Sequence, residues 1–396
     1  FAFVFIWHLI RINHFYNFKC GSGYRRGPPA FAREALSFRD GSFGCDIACV
    51  IICRIASCIG GGKVAPEVRD LADIFVFLAS IRAAPTGPAG RRDESMESKK
   101  RFAIIGVAGY VAPRHLQAIG ALGHELVAAH DLSDSVGVMD RYFPDADFTT
   151  DPAAFGRCLG RQAVDYLAVC TPNYLHAAHA AQGLEAGADA ICEKPLGIDP
   201  QQIDRLIALE RTTGRRVWTI LQLRLHPEIV RLRERVAAGA ADKIYDIDLT
   251  YITPRGRWYA ASWKGDPARS GGVAMNIGVH FYDMLLWIFG PVERSTVHYA
   301  AEGCVAGALQ LRRARVRYLL SIDARHLPAR EEAGRSPYRC MRIDGEEFDF
   351  SQGFTDLHTE SYRRILAGEG FAPTEARAAI ELLARIRGAQ AEGLTG

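Results

Sequence analysis

The sequence lacks the features that would place the protein in a specialised class. No apolar run reaches the ~20 residues that a membrane-spanning helix requires, so no membrane partner is expected. The formal net charge is only +3 over 396 residues, which argues against nucleic acid as a partner. The ten cysteines form no C-x-x-C pair, so we predict neither a metal site nor a redox motif, and we expect a cytoplasmic protein with reduced thiols.

Methionine is also absent before position 96. Apolar runs at 1–10, 47–59 and 74–81 lie between patches rich in Gly, Pro and Arg, without the periodicity of a helix or a strand. We predict that residues 1–95 are non-native or disordered upstream sequence and that the working protein begins at Met96. A genuine N-terminal extension or anchor is the alternative interpretation.

A short apolar strand followed by a glycine turn comes soon after Met96. Residues 102–105 are apolar, and Gly106, Gly109 and Ala112 have the spacing G-x-x-G-x-x-A of a phosphate-binding turn. Pro113 fits the first turn of the helix that follows, because its missing N–H costs nothing there. The free N–H groups of that helix suit a pyrophosphate.

A second strand, predicted at 125–130, ends in Asp131. An acid at this distance from the glycine turn is placed to bind the ribose hydroxyls of NAD, and it would repel the extra phosphate of NADP. No arginine follows in residues 132–135, so NAD is the predicted cofactor. The alternative role for Asp131 is a helix or turn cap.

Strands are predicted to alternate with helices as far as residue 221, with further strands at 164–170, 188–192 and 216–223. This alternation indicates an α/β fold in which residues 96–221 form a Rossmann domain with a doubly wound parallel sheet. Lys194 leaves the carboxyl end of one strand and is expected to point into the ligand crevice, although it could be a surface lysine. The predicted cofactor contacts are Gly106, Gly109, Tyr110, Val111, Asp131, Ser135, Thr171, Pro172, Asn173, His176, Glu193, Lys194 and Gln222.

Residues 222–396 show a different pattern. Apolar and polar residues alternate at 245–252, 316–322 and 339–350, which predicts a large, mostly antiparallel sheet in a C-terminal α+β domain for substrate binding and oligomerisation. Amphipathic helices are predicted at 356–366 and 374–387 and are expected to pack back on the Rossmann domain. The open face of the sheet is expected to be covered by another subunit.

The stretch from Ser270 to Asp283 places Asn276 and His280 on one helix face. A histidine that titrates near neutrality suits the removal of a hydroxyl proton. The alternative is a buried histidine bonded to a carbonyl group.

A loop rich in basic and aromatic residues precedes that stretch. Arginine forks suit carboxylate and diphosphate groups, and the aromatic rings could stack on a sugar or a base, so these residues favour an anionic sugar-nucleotide substrate. A solvated subunit contact is the alternative. The predicted substrate contacts are Lys194, Arg224, His226, Arg255, Arg257, Trp263, Lys264, Asn276 and His280.

Two motifs resemble the signatures of the Gfo/Idh/MocA oxidoreductase family: Glu193-Lys194-Pro195, and the Gly-Gly…His pattern from Gly271 to His280. The resemblance covers residues 100–388. Asn276 stands where the family usually has an acid, which indicates a particular branch.

The resemblance to that branch implies an NAD-dependent homotetramer. Its expected reaction is oxidation of the C3 hydroxyl of a UDP-linked N-acetylated glucuronate, a UDP-sugar acid, for synthesis of lipopolysaccharide. Lys194, His280 and Asn276 are the expected catalytic residues, with Lys194 or His280 as the base, so Lys194 and His280 must open onto one cavity. The alternatives are another NAD-dependent sugar or cyclitol dehydrogenase of the family, or a non-catalytic NAD-sensing protein.

Overall fold

In the computed structural model, which describes residues 99–328, 337–350 and 356–389, two six-stranded sheets carry the fold. The predicted upstream segment, residues 1–95, lies outside the described residues.

All neighbouring strands of the first sheet are parallel, and their order is β3-β2-β1-β4-β5-β6. The strands are β1 Arg101–Ile105, β2 Glu125–His130, β3 Asp147–Thr149, β4 Tyr166–Val169, β5 Asp189–Cys192 and β6 Val217–Thr219. The strand order reverses between β1 and β4, and a ligand crevice opens at the carboxyl ends of strands at such a point. The predicted doubly wound parallel sheet is confirmed.

Three of the five helices that cross between these strands have a proline in their first turn, and two of these three are also capped by an aspartate. Asp151 and Asp199 accept hydrogen bonds from the N–H groups of Ala153 and Gln201, at 2.8 and 3.0 Å, and so cap their helices. The helices are α1 Ala112–Ala121, α2 Val138–Tyr142, α3 Pro152–Arg161, α4 His176–Glu185 and α5 Pro200–Thr213, with 3-10 turns at Asn173–Leu175 and Gln222–Leu225.

The second sheet has the order β12-β11-β7-β10-β9-β8. Its strands are β7 Tyr245–Ile252, β8 Val292–Ala301, β9 Cys304–Leu311, β10 Ala314–Ser321, β11 Tyr338–Ile343 and β12 Glu346–Glu347. The pair β7 and β10 is parallel, and the other pairs are antiparallel, which confirms the predicted mostly antiparallel sheet.

One face of the second sheet packs against a long apolar helix. This helix begins at Gly272, and Gly278 lies so close to the sheet that an added Cβ would be 2.7 Å from Leu320 Cδ1. The segment Pro267–Phe289 is long and apolar enough to cross a membrane. However, 67% of its most apolar 18-residue stretch is buried inside the fold, as in the core helix of a globular protein. The remaining helices are α6 Pro227–Ala238, α7 Trp258–Ala261, α8 Pro267–Ser270, α9 Gly272–Phe289, α10 Leu357–Leu366 and α11 Pro373–Gly388, with a 3-10 turn at Ala324–His326.

The two C-terminal helices return to the Rossmann part of the chain. Tyr362 and Ile365 of α10 belong to one buried cluster with Phe102 and Ile104 of β1. The N–H group of Thr219 at the end of β6 donates to the carbonyl of Phe371, at 2.9 Å. The C-terminal segment therefore helps to build the edge where the strands of the first sheet end.

Candidate functional site

A cavity of about 1270 Å³ lies between the carboxyl edge of the first sheet and α9, which lines its other side. Pockets for one small ligand usually measure ~300–1,000 Å³, so this cavity has room for a cofactor and a substrate together. Lys194 and His280 both line it, as their expected catalytic roles require. The predicted residues in its wall are Gly106, Gly109, Tyr110, Val111, Asp131, Ser135, Thr171, Pro172, Asn173, His176, Glu193, Lys194, Gln222, Trp263, Lys264, Asn276 and His280.

The glycine turn brings the main chain close to the cavity. Gly106 has φ +85°, and an added Cβ would lie 2.7 Å from the main-chain carbon of Cys170, so glycine is required there. Helix α1 begins after Val111 without a side-chain cap. The N–H groups of Ala112 and Arg114 donate to the carbonyl groups of Gly109 and Val111, at 3.1 and 3.0 Å, so the free N–H groups predicted from the sequence are not found at these two positions. What α1 offers to a pyrophosphate is the positive end of its dipole.

Asp131 is held by two main-chain N–H groups. Its Oδ2 accepts from Ala108 and its Oδ1 accepts from Ser133, both at 3.0 Å. The carboxylate thus caps its own turn and also contacts the glycine turn, at the wall of the cavity. The turn cap considered from the sequence is therefore present, and the contact with the ribose hydroxyls stays a prediction that this position in the wall allows.

A chain of side-chain hydrogen bonds joins the first sheet to α9. Asn173 Nδ2 donates to the carbonyl of Ser270 at 2.8 Å and to Asn276 Oδ1 at 3.2 Å. Asn276 Nδ2 donates to Tyr259 Oη at 2.6 Å. These bonds fix the orientation of the Asn276 amide. This amide is neutral, whereas the family that the sequence resembles usually has an acid at this position.

Another histidine ties two strand ends together. His176 Nδ1 lies 2.7 Å from the carbonyl oxygen of Pro195, and its Nε2 lies 2.6 Å from the carbonyl oxygen of Thr171. Burial lowers the pKa of His176 despite these two carbonyl groups. The ring therefore braces the segment that carries Lys194.

The two candidate bases influence each other. Burial lowers the pKa of Lys194, the Glu193 carboxylate opposes this change, and the cations of Arg114 and Arg255 add to it. Burial, and next the Lys194 cation, hold the pKa of His280 well below its usual value. At neutral pH the imidazole is therefore uncharged and can accept a proton.

Arg224, a predicted substrate contact, has a structural role instead. Its guanidinium is buried and donates to Asp283 at 2.9 and 2.7 Å and to Glu375 Oε2 at 2.7 Å. It is absent from the described cavity wall. These bonds join the 3-10 turn after β6 to α9 and α11, because a buried arginine requires such partners.

His226 is likewise placed away from the cavity among the residues that the structure describes. Its ring is buried, and its Nδ1 accepts from the N–H group of Glu228 at 3.2 Å, which caps α6. The ring also packs edge-on against Phe350. The predicted substrate contact is corrected to a helix cap.

The loop rich in basic and aromatic residues divides into two parts. Trp263 and Lys264 line the cavity, and Lys264 Nζ lies 4.4 Å from the centre of the Trp263 ring. Arg255 and Arg257 are exposed and are not part of the cavity wall as far as the structure describes it. Arg255 still acts at a distance, since its charge lowers the pKa of Lys264, after the larger effect of burial.

Arg339 and His358 are two of the wall residues that were not predicted from the sequence. Arg339 of β11 lies with its guanidinium carbon 5.3 Å from the centre of the Phe350 ring. His358 of α10 lies 2.8 Å from Glu193 through its Nε2, although 165 residues separate the two in the sequence. The alternation of β11 could have identified Arg339, whereas no local signal identifies His358.

Comparison with known proteins gives matches to the Rossmann part of the chain and to the part that forms the second sheet. A family model described as an oxidoreductase family with an NAD-binding Rossmann fold matches residues 100–221, and the C-terminal alpha/beta domain of the same family matches residues 233–333. The curated D-glucoside 3-dehydrogenase of Escherichia coli is 30% identical over 200 residues, which are 49% of this chain and 55% of that protein. The chain thus spans about half the length of the curated relatives that it matches.

Solved structures match over a longer region. The WlbA (WbpB) dehydrogenase from Thermus thermophilus, in complex with NAD and UDP-GlcNAcA, is 47% identical, with a TM-score of 0.71, over 75% of this chain and 97% of that chain. The WlbA dehydrogenase from Bordetella pertussis is 22% identical, with a TM-score of 0.62 over 73% and 94% of the two chains, and it supports the fold alone.

These matches confirm three predictions made from the sequence: the family resemblance, an NAD-dependent dehydrogenase, and NAD as its cofactor. The protein belongs to the Gfo/Idh/MocA oxidoreductase family.

Proposed function

We propose that this protein oxidises the C3 hydroxyl of UDP-GlcNAcA, a UDP-linked N-acetylated glucuronate, to a 3-keto sugar with NAD as the acceptor. One observation carries the proposal: Lys194, His280 and Asn276 line the same cavity as every predicted cofactor contact. The 47% identity to a Thermus dehydrogenase crystallised with NAD and UDP-GlcNAcA supports this substrate.

The residues present fit NAD. The close approach of the main chain at Gly106 and the positive end of the α1 dipole suit the pyrophosphate, and the Asp131 carboxylate suits the ribose hydroxyls. When bound, NAD supplies the acceptor for the hydride that leaves carbon 3 of the sugar.

The chain's own residues then handle the hydroxyl proton. Lys194 or His280 accepts this proton, since burial lowers the pKa of both groups and so favours their uncharged forms. Asn276 holds the hydroxyl group or the imidazole in place through its fixed amide.

Cations in the wall support the proposal of an anionic substrate. Lys264 and Arg339 line the cavity together with Lys194, and the charge of Arg255 adds to burial in lowering the pKa of both lysines. A neutral sugar would not compensate for so many positive charges, whereas a carboxylate and a diphosphate do so.

The test is an assay of NADH formation with UDP-GlcNAcA, UDP-GlcNAc, a D-glucoside and inositol, each under single-turnover conditions. We expect UDP-GlcNAcA to react at least about tenfold faster than UDP-GlcNAc, because only the acid offers a carboxylate to the cavity. Faster reaction of the glucoside or of inositol would instead assign another sugar or cyclitol dehydrogenase. Absence of turnover with every sugar, together with binding of NAD, would favour a sensing protein.

The same assay on variants separates the candidate bases. We expect Lys194→Met and His280→Asn each to lower the single-turnover rate, by about 100-fold or more for the residue that acts as the base. Lys243→Met is the matched control, because that lysine pairs with Asp344 at the surface. An undiminished rate in Lys194→Met would refute the proposed mechanism.

We further propose that the protein works as a homotetramer in the cytoplasm, in the synthesis of lipopolysaccharide. The second sheet presents the exposed ion pairs Asp246–Arg315 and Asp248–Arg317 on the face opposite α9, where a second copy could contact them. Light scattering measures the assembly, and a monomer at all concentrations would contradict the tetramer.

A further inference from the structure

Three buried side chains from distant parts of the chain meet beside Lys194. His115 lies in α1, Glu193 follows β5, and His358 lies in α10. Their exposed fractions are 0%, 4% and 6%. They form the cluster that we call the Glu193 network.

Both histidines contact the same oxygen of the carboxylate. His115 Nε2 lies 3.1 Å from Glu193 Oε1, and His358 Nε2 lies 2.8 Å from it. A carboxylate only accepts hydrogen bonds, so each Nε2 must carry the hydrogen. His115 Nδ1 then accepts from the hydroxyl group of Tyr362, at 2.7 Å.

The other carboxylate oxygen reaches the residue proposed for catalysis. Glu193 Oε2 accepts from the main-chain N–H group of Lys194 at 3.1 Å. The histidines therefore fix the carboxylate, and the carboxylate in turn fixes the main chain from which the lysine side chain extends into the cavity.

The network also keeps a negative charge in a buried place. Burial alone would raise the pKa of Glu193, but the hydrogen bonds from His115 and His358 overcome it and lower this pKa well below its usual value. The ionised carboxylate opposes the effect of burial on Lys194. Among the described residues, the other groups whose charges interact with that of Lys194 are basic: Arg114 of α1, His176 of α4, Arg255 and Lys264 of the loop after β7, and His280 of α9.

We propose that His115 and His358 are positioning residues, which act through Glu193 to fix the Lys194 main chain and to place a permanent negative charge beside its ammonium group. The catalytic part of this inference rests on the proposed function, whereas the effect on Lys194 does not. Helix α10 thereby contributes to a site that is formed mainly by the Rossmann domain and α9.

The experiment measures the titration of Lys194 directly. Lysine side chains are methylated with isotope-labelled formaldehyde and followed by NMR, and the Lys194 signal is assigned by its absence from Lys194→Arg. In His358→Leu we expect the titration midpoint of Lys194 to fall by about half a unit or more, because the carboxylate that opposes its burial takes up a proton more easily. We expect kcat with UDP-GlcNAcA to fall about tenfold, because the loss of the fixed Lys194 main chain outweighs the larger uncharged fraction of its side chain, while KM for NAD changes less than about twofold.

Two variants serve as controls. His358→Gln places an amide donor near the position of Nε2 and should restore the midpoint. Ser361→Ala removes a buried hydrogen bond within the same helix, from its hydroxyl group to the carbonyl of Leu357, and should leave the midpoint unchanged. If His358→Leu does not fold, Glu193→Gln keeps the shape of the side chain, removes its charge and should lower the midpoint further.

Three outcomes would overturn the inference. The first is an unchanged Lys194 midpoint in both His358→Leu and Glu193→Gln, and the second is an equal change in Ser361→Ala. The third is one equivalent of zinc that copurifies with the wild-type protein and is lost in His358→Leu, since the ligand atoms of these three residues lie within 4.8 Å of one another and such a set also binds zinc. Failure of the sugar assays alone would refute the proposed function and leave the NMR result to decide the network.

Discussion

The cavity wall has a predicted cofactor side and a predicted substrate side, and the two differ in how they are built. On the cofactor side, every residue predicted from the sequence lines the cavity, from Gly106 to Gln222. On the substrate side, Trp263 and Lys264 line it, whereas Arg224 and His226 are buried elsewhere as structural residues. The cofactor side follows from where parallel strands end, and these positions can be derived from the strand pattern. The substrate side depends on side chains whose direction is set by packing between distant segments.

The largest expected effect is on stability, and it should come from Arg224, which the sequence predicted as a substrate contact and which has a structural role in the fold. We expect Arg224→Met to lower the free energy of unfolding by about 3–5 kcal/mol, because it leaves the buried Asp283 carboxylate without its partner. Burial already raises the pKa of Asp283, and the hydrogen bonds from Arg224 oppose that change. Denaturation by urea, with and without NAD, measures the loss.

Two further variants test this structural role. Arg377→Met removes a partly exposed arginine that pairs with Asp204 and Glu381, and should leave the free energy of unfolding nearly unchanged, because water screens such pairs. The double variant Arg224→Met, Asp283→Leu should recover most of the lost stability, since no buried charge is left unpaired. A stable Arg224→Met protein with a raised KM for the sugar would restore the substrate role predicted from the sequence.

A substitution on the cofactor side should act on NAD binding. In Gly106→Ala the new Cβ meets the main chain of Cys170 and Thr171 at 2.7 Å, so β1 and β4 must separate where the pyrophosphate is expected. We expect the Kd for NAD to rise about 100-fold, which is about 2.7 kcal/mol. Titration calorimetry measures it.

Gly123→Ala is the matched control for that substitution. Gly123 also has a positive φ, +79°, but an added Cβ would have nothing within 4 Å. It should therefore lose stability from backbone strain of about 1–2 kcal/mol and keep its affinity for NAD. Equal losses of NAD affinity in both variants would show that strain, and not the close approach, explains the effect.

The sequence predicts the fold well because its signals are local. Alternation of strands and helices indicates the parallel sheet, and alternation of apolar and polar residues in 245–252 indicates β7. The start of α9 at Gly272 is not evident from the sequence, because two consecutive glycines favour a loop. In the structure both Gly271 and Gly272 have positive φ. Contacts such as His358 with Glu193 join residues far apart in the chain, and a single sequence carries no signal for them.

The smallest expected effect is on KM for the sugar, and it is tested by comparing two cations of the loop after β7. Lys264 lines the cavity beside Trp263, whereas Arg257 is exposed at the start of α7. We expect Lys264→Met to raise KM for UDP-GlcNAcA about tenfold, or about 1.4 kcal/mol, and to leave the Kd for NAD unchanged. Arg257→Met should change both quantities less than about twofold, because its charge is screened by water. If Arg257→Met instead has the larger effect on KM, the loop must close over the bound sugar, and the substrate side would then be formed only when its ligand is present.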